Sequence, residues 1–516
     1  MARKKKTDAD PAKKTKRGRG KKEVDGAGQF SRSDANKVIA IPLDKFSMDN
    51  YGRYGRSVLE DRAIPDFRDG MNPVNRRVLW SAHTLGINSK SKFVKAARIV
   101  GDVLGRYHPH GDSAAYGAMV GMTNVGRTVN NVRVGLIEGE GNWGSLSGLT
   151  AAAMRYTEAR LSKFSDEVLF NKFYLPAMQR VPNFDSSTVE PLVLPALLPV
   201  LFLNGRFGIA PGATTSIPSF DGNSVLALLK LAYEGEELTP KLLSKTLTAV
   251  TTYGGTEITK KEEGRTALFS GKKGSVTMQS YHEYDERKRT ITFTKFANYK
   301  FEKIIEKVMA FEGVQSVQDM STPKDKYGKL VVTLKRQGDH RTPKLVKRVV
   351  EHMQTKESYV LNFTRRSKDD LGQSEASMIA MPLVKAFSRW VKWRISLEQK
   401  ACGYWIREDE KEIRRIDLLM QAVDLIDFIV KLLKDKKLKS NDEVYKAYAA
   451  KAKVEFEEAK YVLGRPIISL RNMSKADLLA QRKQVEKNKA KLEKRKKKPL
   501  PHMIAQLEDF RPYFKD

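Results

Sequence analysis

The chain of 516 residues carries 94 Lys+Arg against 61 Asp+Glu, a formal net charge of +33, with 41% hydrophobic and 30% charged residues. This is a globular composition with room for three or four domains at ~150 residues each. No stretch approaches the roughly 20 apolar residues of a membrane span, the N-terminus has no apolar signal core, and the single cysteine, Cys402, can form neither an internal disulfide nor a thiolate metal cluster, which argues against secretion, membrane insertion and thiol–metal chemistry.

Residues 1–22 hold 11 Lys/Arg against Asp8 and Asp10, a net +9, which leaves +24 on the remainder. Self-repulsion of that size destabilises a compact state unless a polyanion uses the field, so nucleic acid is favoured over an anionic membrane as partner. Residues 1–36 are low-complexity Lys/Arg/Gly/Ala/Asp with almost no large apolar side chains, and are expected to be a disordered basic tail. Residues 75–82 (NRRVLWSA) and 92–104 (KFVKAARIVGDVL) read as two short amphipathic helices joined by a turn at Gly86. They suit a helix-turn-helix or winged-helix unit, or two ordinary packed surface helices.

Three stretches combine unusual residue types. In residues 107–113 (YHPHGDS), His108 and His110 place two imidazoles on one sharp turn. Metal binding would require a third ligand, and none is evident nearby; proton transfer or phosphate contact fits the pair better. In residues 151–160 (AAAMRYTEAR), small residues precede Arg155 and Tyr156 and allow close approach of something bulky, although a lone tyrosine also reads as a packed aromatic. In residues 204–213 (NGRFGIAPGA), a Gly-rich loop presents Phe207 and Ile209, either as a plug or as a wedge between base steps.

From about residue 194 to 355 the pattern alternates. Strands over 275–279 and 290–294 and a helix over 301–311 suggest an α+β domain. The stretch 270–275 (SGKKGS) lacks the spacing that cradles phosphates. Acidic runs such as Glu408–Asp409–Glu410 read as solvent-facing helix rather than magnesium sites. From Ser377 onward helix formers dominate. Leu418, Leu425 and Leu432 recur every seven residues, as do Leu419, Ile426 and Leu433, then Leu478, Val485 and Leu492. Such heptads predict an antiparallel coiled-coil arm, or an ordinary helical bundle. Residues 482–498 contain ten basic residues, by default a solvated helix face.

Five motifs, in order, carry a family resemblance: residues 54–77 (YGRSVLEDRAIPDFRDGMNPVNRR), ARIVGDVLGRYHPHGDSAAY, EGEGNWGS, AAAMRYTEARL and LNGRFGIAPG. The chain resembles the A subunit of DNA gyrase and its topoisomerase IV counterpart, the breakage-and-reunion component of a type IIA DNA topoisomerase, including the phage medium-subunit type. The resemblance implies an α+β multidomain fold. It would comprise a winged-helix cleavage domain over 37–193, an α/β tower domain over 194–370, and a long antiparallel coiled-coil arm with a helical dimer gate over 371–516. It also implies residue roles. Tyr156 would attack a DNA phosphate and become linked to the 5′ end, Arg155 and Arg62 would hold the scissile phosphate, and His108 and His110 would be active-site imidazoles. Ile209 would intercalate, and Asn72, Asn75, Arg76, Arg98 and Ser113 would face DNA.

The implied partners are double-stranded DNA, a homodimer partner and a separate B subunit. The B subunit would hold the Mg2+ ligands in its Toprim domain and would bind ATP, so the chain is expected to be inactive alone, in the cytoplasm of a bacterial or phage-infected cell. Asn72 and Asn75 stand where the family usually has Lys and His. Ser113 matches the serine of the quinolone water–magnesium bridge, but its acidic companion four positions later is replaced by Gly117. The chain stops at Asp516, soon after the expected gate and with no wrapping domain, so relaxation and decatenation are expected rather than supercoiling. Two alternatives are a non-catalytic architectural DNA-binding dimer and a phosphodiesterase centred on His108 and His110.

Overall fold

The computed structural model describes residues 42–514 except 59–63, 124–132, 145–148, 252, 259–261, 298–300, 323, 324, 326, 337–341, 369–373, 436, 437 and 439. The basic tail lies outside the described residues. Helix α1 (Leu43–Val58) crosses the division of the chain after Gly52.

Helix α2 (Pro73–Thr84) starts where the Asn72 side chain accepts a hydrogen bond from the Asn75 N–H and Pro73 fills the first turn, extending the predicted helix at both ends. The helix expected over 92–104 begins later. Its first residues form strand β1 (Val94–Lys95), which pairs with Ala159 and Glu158, so α3 (Ala96–Arg106) starts only at Ala96. Helix α4 (Asp112–Thr123), β2 (Ile137–Glu140) and β3 (Glu158–Leu161) complete three helices beside a three-stranded sheet of order β1-β3-β2. Next come α5 (Lys163–Val168), β4 (Arg180–Pro182), β5 (Val189–Pro191) and the wholly buried α6 (Val200–Asn204). Val78, Ile99, Met119 and Leu161 share one core with Leu201 and Phe202.

The middle of the chain contains β6 (Arg206–Ala210), β7 (Ala213–Ile217), β8 (Ser219–Phe220), α7 (Gly222–Glu234), α8 (Pro240–Thr246), β9 (Ala249–Val250), β10 (Thr256–Glu257), α9 (Glu262–Ser270) and β11 (Lys273–Gln279). An excursion follows: β12 (Tyr281–Asp285), β13 (Thr290–Lys295), α10 (Phe301–Met309), β14 (Val314–Asp319), β15 (Leu330–Leu334) and α11 (Thr342–His352). Its four strands, in order β12-β13-β15-β14, enclose a separate core of Ile291, Phe293, Val308, Val332 and Val349. Strand β16 (Gln354–Val360) then returns to a seven-stranded antiparallel sheet of order β6-β7-β16-β11-β10-β9-β8, and β17 (Asn362–Lys368) with β18 (Ser374–Ala380) forms a hairpin.

Helix α12 (Leu383–Asp424) runs for 42 residues, followed by α13 (Ile426–Lys434), α14 (Asn441–Ala452), α15 (Phe456–Leu463), α16 (Ile467–Arg471), α17 (Lys475–Lys497) and α18 (Leu500–Phe510). The ion pairs Lys475–Asp424, Arg482–Asp417, Lys489–Glu410 and Arg495–Glu398 descend α12 as α17 advances, so the two helices pack antiparallel. The first heptads do not lie on one helix. Helix α12 ends at Asp424, and Leu425 caps it and opens α13, so Ile426 and Leu432 serve a distal core with Tyr448, Ala459 and Leu470. Among the described residues no helix is long and apolar enough to cross a membrane.

At the near end of the helix pair a buried polar cluster joins four segments. Arg394 Nη1 donates to Glu398 Oε2 (2.9 Å), Tyr174 Oη donates to the same oxygen (2.8 Å), and Arg495 donates to Glu398 Oε1. Gln506 of α18 accepts from Arg394 Nη2 at 2.8 Å. Burial alone would raise the Glu398 carboxyl, but the two guanidiniums and the Tyr174 hydroxyl hold it below its usual range.

Candidate active site

The turn between α3 and α4 is locked by its own backbone. His108 N–H donates to Val103 O (2.8 Å) and His110 N–H to His108 O (2.7 Å). This stacks the two imidazoles, with centroids 4.5 Å apart, His108 buried and His110 exposed. The Nδ1 of His108 lies 3.1 Å from Arg77 Nη1, and Arg77 also makes a two-pronged ion pair with Glu190 at 2.6 and 2.8 Å. A guanidinium has only donors, so Nδ1 is the acceptor and the proton of the neutral ring sits on Nε2. Arg77 and Glu190 were not singled out in the sequence. They are 113 positions apart, and only the pairing of β5 beside α2 brings them together.

Arg155 and Tyr156 lie on a tight turn closed by Tyr156 N–H donating to Ala153 O at 2.9 Å. Tyr156 is 64% exposed, and the Arg155 guanidinium sits 4.7 Å from the centre of its ring. The turn is held from both sides. Tyr116 of α4 donates its hydroxyl to Ala152 O at 2.6 Å and lies 2.9 Å from Thr157 Oγ1, while Ala96 N–H donates to Thr157 O. The EGEGNWGS stretch adds support, with Asn142 O accepting from Ala152 N–H and Gly141 taking φ +96°, a left-handed conformation beside the backbone of Tyr156 and Thr157. Helix α4, which opens straight after the histidine turn, therefore ties that turn to the tyrosine turn.

The other expected residues divide into three groups. Arg98 on α3 and Ser113 on the first turn of α4 are exposed. Ile209 and Phe207 alternate along β6 at 65% and 61% exposure, projecting from a hairpin whose turn uses Gly212 at φ +74°. Arg206 on the same strand has its Nε without a hydrogen-bond partner, and burial pushes the guanidinium down to about 10, still protonated at neutral pH. Asn72, Asn75 and Arg76, by contrast, are buried at 6%, 3% and 3%, so the expectation that they face DNA is corrected. Asn72 is occupied as the α2 cap. Arg76 pairs with Asp69 at 2.7 and 3.0 Å and donates to Met71 O, while Asp69 also accepts from the Met71 and Leu194 N–H groups. Arg62 lies outside the described residues.

Among the described residues no group of three or more His, Cys, Asp or Glu is placed to hold a metal ion. The arrangement presents an exposed phenol beside the Arg155 guanidinium, tied through α4 to the turn that carries the two imidazoles.

A family model for the DNA gyrase/topoisomerase IV A subunit matches residues 62–508. The chain is 32% identical over 430 residues to the chloroplastic/mitochondrial DNA gyrase A subunit of Arabidopsis thaliana, covering 80% of this chain and 43% of that one. It is 46% identical over 188 residues to the DNA gyrase A subunit of Helicobacter pylori (36% and 22% covered), and 28% identical over 472 residues to that of Halalkalibacterium halodurans (90% and 54% covered). The chain thus spans between 22% and 54% of the length of these relatives.

Proposed function

Because the chain belongs to the family of DNA gyrase/topoisomerase IV A subunits, we propose that it is the DNA-cleaving subunit of an ATP-dependent type IIA topoisomerase, with Tyr156 as nucleophile. The observation that carries this reading is the exposed Tyr156 on a turn immobilised by Tyr116, with Arg155 against its ring. An architectural DNA-binding protein has no need of a tyrosine held out to solvent in this way.

In the proposed step the Tyr156 phenolate oxygen attacks phosphorus. The new P–O bond forms as the P–O3′ bond breaks, the phenolic proton passes to solvent, and the departing 3′ oxygen takes up a proton. A tyrosine hydroxyl has a reference pKa near ~10, so attack depends on cations that stabilise the phenolate and the crowded phosphate. Arg155 supplies one, and Arg62 is the expected second. The exposed His110 ring, stacked on the His108 that Arg77 orients, is the imidazole that can meet a phosphate oxygen. The phosphotyrosine conserves the energy of the cut bond, so the 3′ hydroxyl can reverse the step without nucleotide. Among the described residues no set of carboxylates fits a magnesium site. Mg2+ and ATP are assigned to a B subunit.

The finer reading has three parts. The winged-helix unit over 37–193, tower over 194–370 and arm with dimer gate over 371–516 are supported by the three-helix cluster on its sheet, the seven-stranded sheet with its excursion, and the antiparallel helix pair with its distal core. The assembly is read as A2B2. Strand passage by these 516 residues with the B subunit is read as relaxation and decatenation, since no repeat of propeller period is legible that could wrap DNA with a fixed hand. The test is to mix the chain with its B subunit, Mg2+ and supercoiled plasmid, denature with detergent, and look for protein attached to 5′ ends. Free 5′ ends would instead favour the His108–His110 phosphodiesterase, and intact DNA the architectural dimer. Negatively supercoiled product from relaxed plasmid would overturn the assigned direction of strand passage.

A further inference from the structure

Away from Tyr156, one face of α12 is shaped for a linear anion. Arg389, Lys392, Lys400 and Arg407 recur along it with Ser396 and Gly403 between them. Helical geometry confines these positions to an arc of about 80° over a length of about 27 Å. The opposite face buries Trp390, Arg394, Leu397, Glu398 and Ala401 in the core. The cationic face forms one wall of two adjoining cavities, of about 530 and 440 Å³, which share Ala177, Ser396 and Lys400. Arg365 lines the first cavity beside Arg68, whose own charge is paired with Asp66 at 2.7 Å, Lys496 of α17 lines the second, and among the described residues no carboxylate lines either one.

Three acids of this part of α12 are engaged elsewhere. Glu398 is held by Arg394 and Arg495, Glu408 pairs with Lys411, and Glu410 pairs with Lys489. Arg389 has a single described side-chain partner, the Met381 sulfur at 3.7 Å. A row of like charges in a concave surface is self-repelling until a counter-charge enters it. A small anion would satisfy one end. Duplex DNA, with about one charge per 1.7 Å of axis, matches the full row.

We propose that this groove is a second DNA-binding surface, gripping the phosphate backbone of duplex outside the cleaved segment. It takes from the cleavage reading only that duplex DNA is the polyanion present. The test uses the full chain in three forms: wild type, the triple variant Lys392→Ala, Lys400→Ala, Arg407→Ala, and the charge-keeping triple variant Lys392→Arg, Lys400→Arg, Arg407→Lys. The three substituted side chains are exposed and alanine favours helix, so equal melting temperatures are expected.

Binding to a long duplex is followed by anisotropy across a salt series. At about 0.9 per phosphate neutralised, the alanine variant should lose about 2 to 3 from the log–log salt slope, and the charge-keeping variant should hold the wild-type slope. An unchanged slope in the alanine variant would overturn the proposal, as would equal loss in the charge-keeping variant. Inorganic tripolyphosphate that competes as well as DNA at equal phosphate would also overturn it, in favour of a soluble polyanion. The covalent-adduct assay on wild type decides the cleavage reading separately. Adducts with an unchanged slope sink the groove alone, whereas slope loss without adducts sinks the cleavage reading alone.

Discussion

The roles proposed for Tyr156 and Arg155 rest on single side chains, so their substitution separates chemistry from binding. Tyr156→Phe removes one exposed hydroxyl and should keep fold and DNA affinity while abolishing detergent-trapped adducts; adducts at the wild-type level would place the nucleophile elsewhere. Arg155→Ala should slow cleavage about 100- to 1,000-fold, the loss seen when one preorganised charge-stabilising donor is removed, read from single-turnover adduct formation. Arg76 should behave differently. Its guanidinium is buried on Asp69, so Arg76→Ala strands a carboxylate and should cost about 3–5 kcal/mol in urea unfolding. A stability within about 1 kcal/mol of wild type would show instead that the site relaxes. At this scale His108, His110, Arg155 and Tyr156 could be singled out because each belongs to a contiguous motif, and the structure ties the two turns that carry them through α4. The sequence misled at Asn72, Asn75 and Arg76, because a polar residue in a motif reads the same whether it caps a helix, pairs with an acid seven residues back or meets a ligand. It was silent on Glu190, whose role exists only once β5 lies beside α2.

Two elements carry predictions of their own. On α4, Ser113 and Gly117 are exposed one turn apart, and a Cβ added at Gly117 meets nothing within 4 Å. If quinolones anchor as the family resemblance implies, the missing acid removes a charge-assisted contact of about 1.5–3 kcal/mol, or about ten- to a hundredfold in affinity. Gly117→Asp should therefore sharpen trapping by ciprofloxacin in a cleavage-complex titration, and equal trapping of wild type and variant would sink the bridge argument. On α12, Glu398 has a depressed pKa. Its stabilising contribution is complete above the unfolded value of about 4.3 and is lost as pH falls through that value toward the folded one. Glu398→Gln should melt lower at neutral pH and lose part of the acid sensitivity between about pH 5 and 3; parallel melting curves against pH would contradict this. Helix content was readable from period and caps, but edges were not. The strand β1 cuts into a predicted helix because its partner β3 is more than 60 residues away, and the heptad run continues in sequence across Leu425 although the helix does not.

For the whole molecule, charge is the property most plainly written in composition. Residues 1–22 carry +9, so their deletion should weaken DNA binding and flatten its salt slope without moving cleavage sites, and an unchanged slope would assign the tail another partner. The order of regions was also legible, from alternating strands and helices to sustained helix, whereas the division of the middle into two cores was not, because β11 and β16 are neighbours separated by the whole excursion. The Glu398 cluster holds α12 at a point from which the helix runs on for 26 residues to Asp424, or about 39 Å at 1.5 Å per residue, with a separate core at its far end. Such a geometry is a lever with a short, stiff root. A rotation of about 5° at the root would carry the tip about 3 Å on that length, so the far end can be displaced while each contact around Tyr174 and Arg394 yields by only a fraction of an ångström.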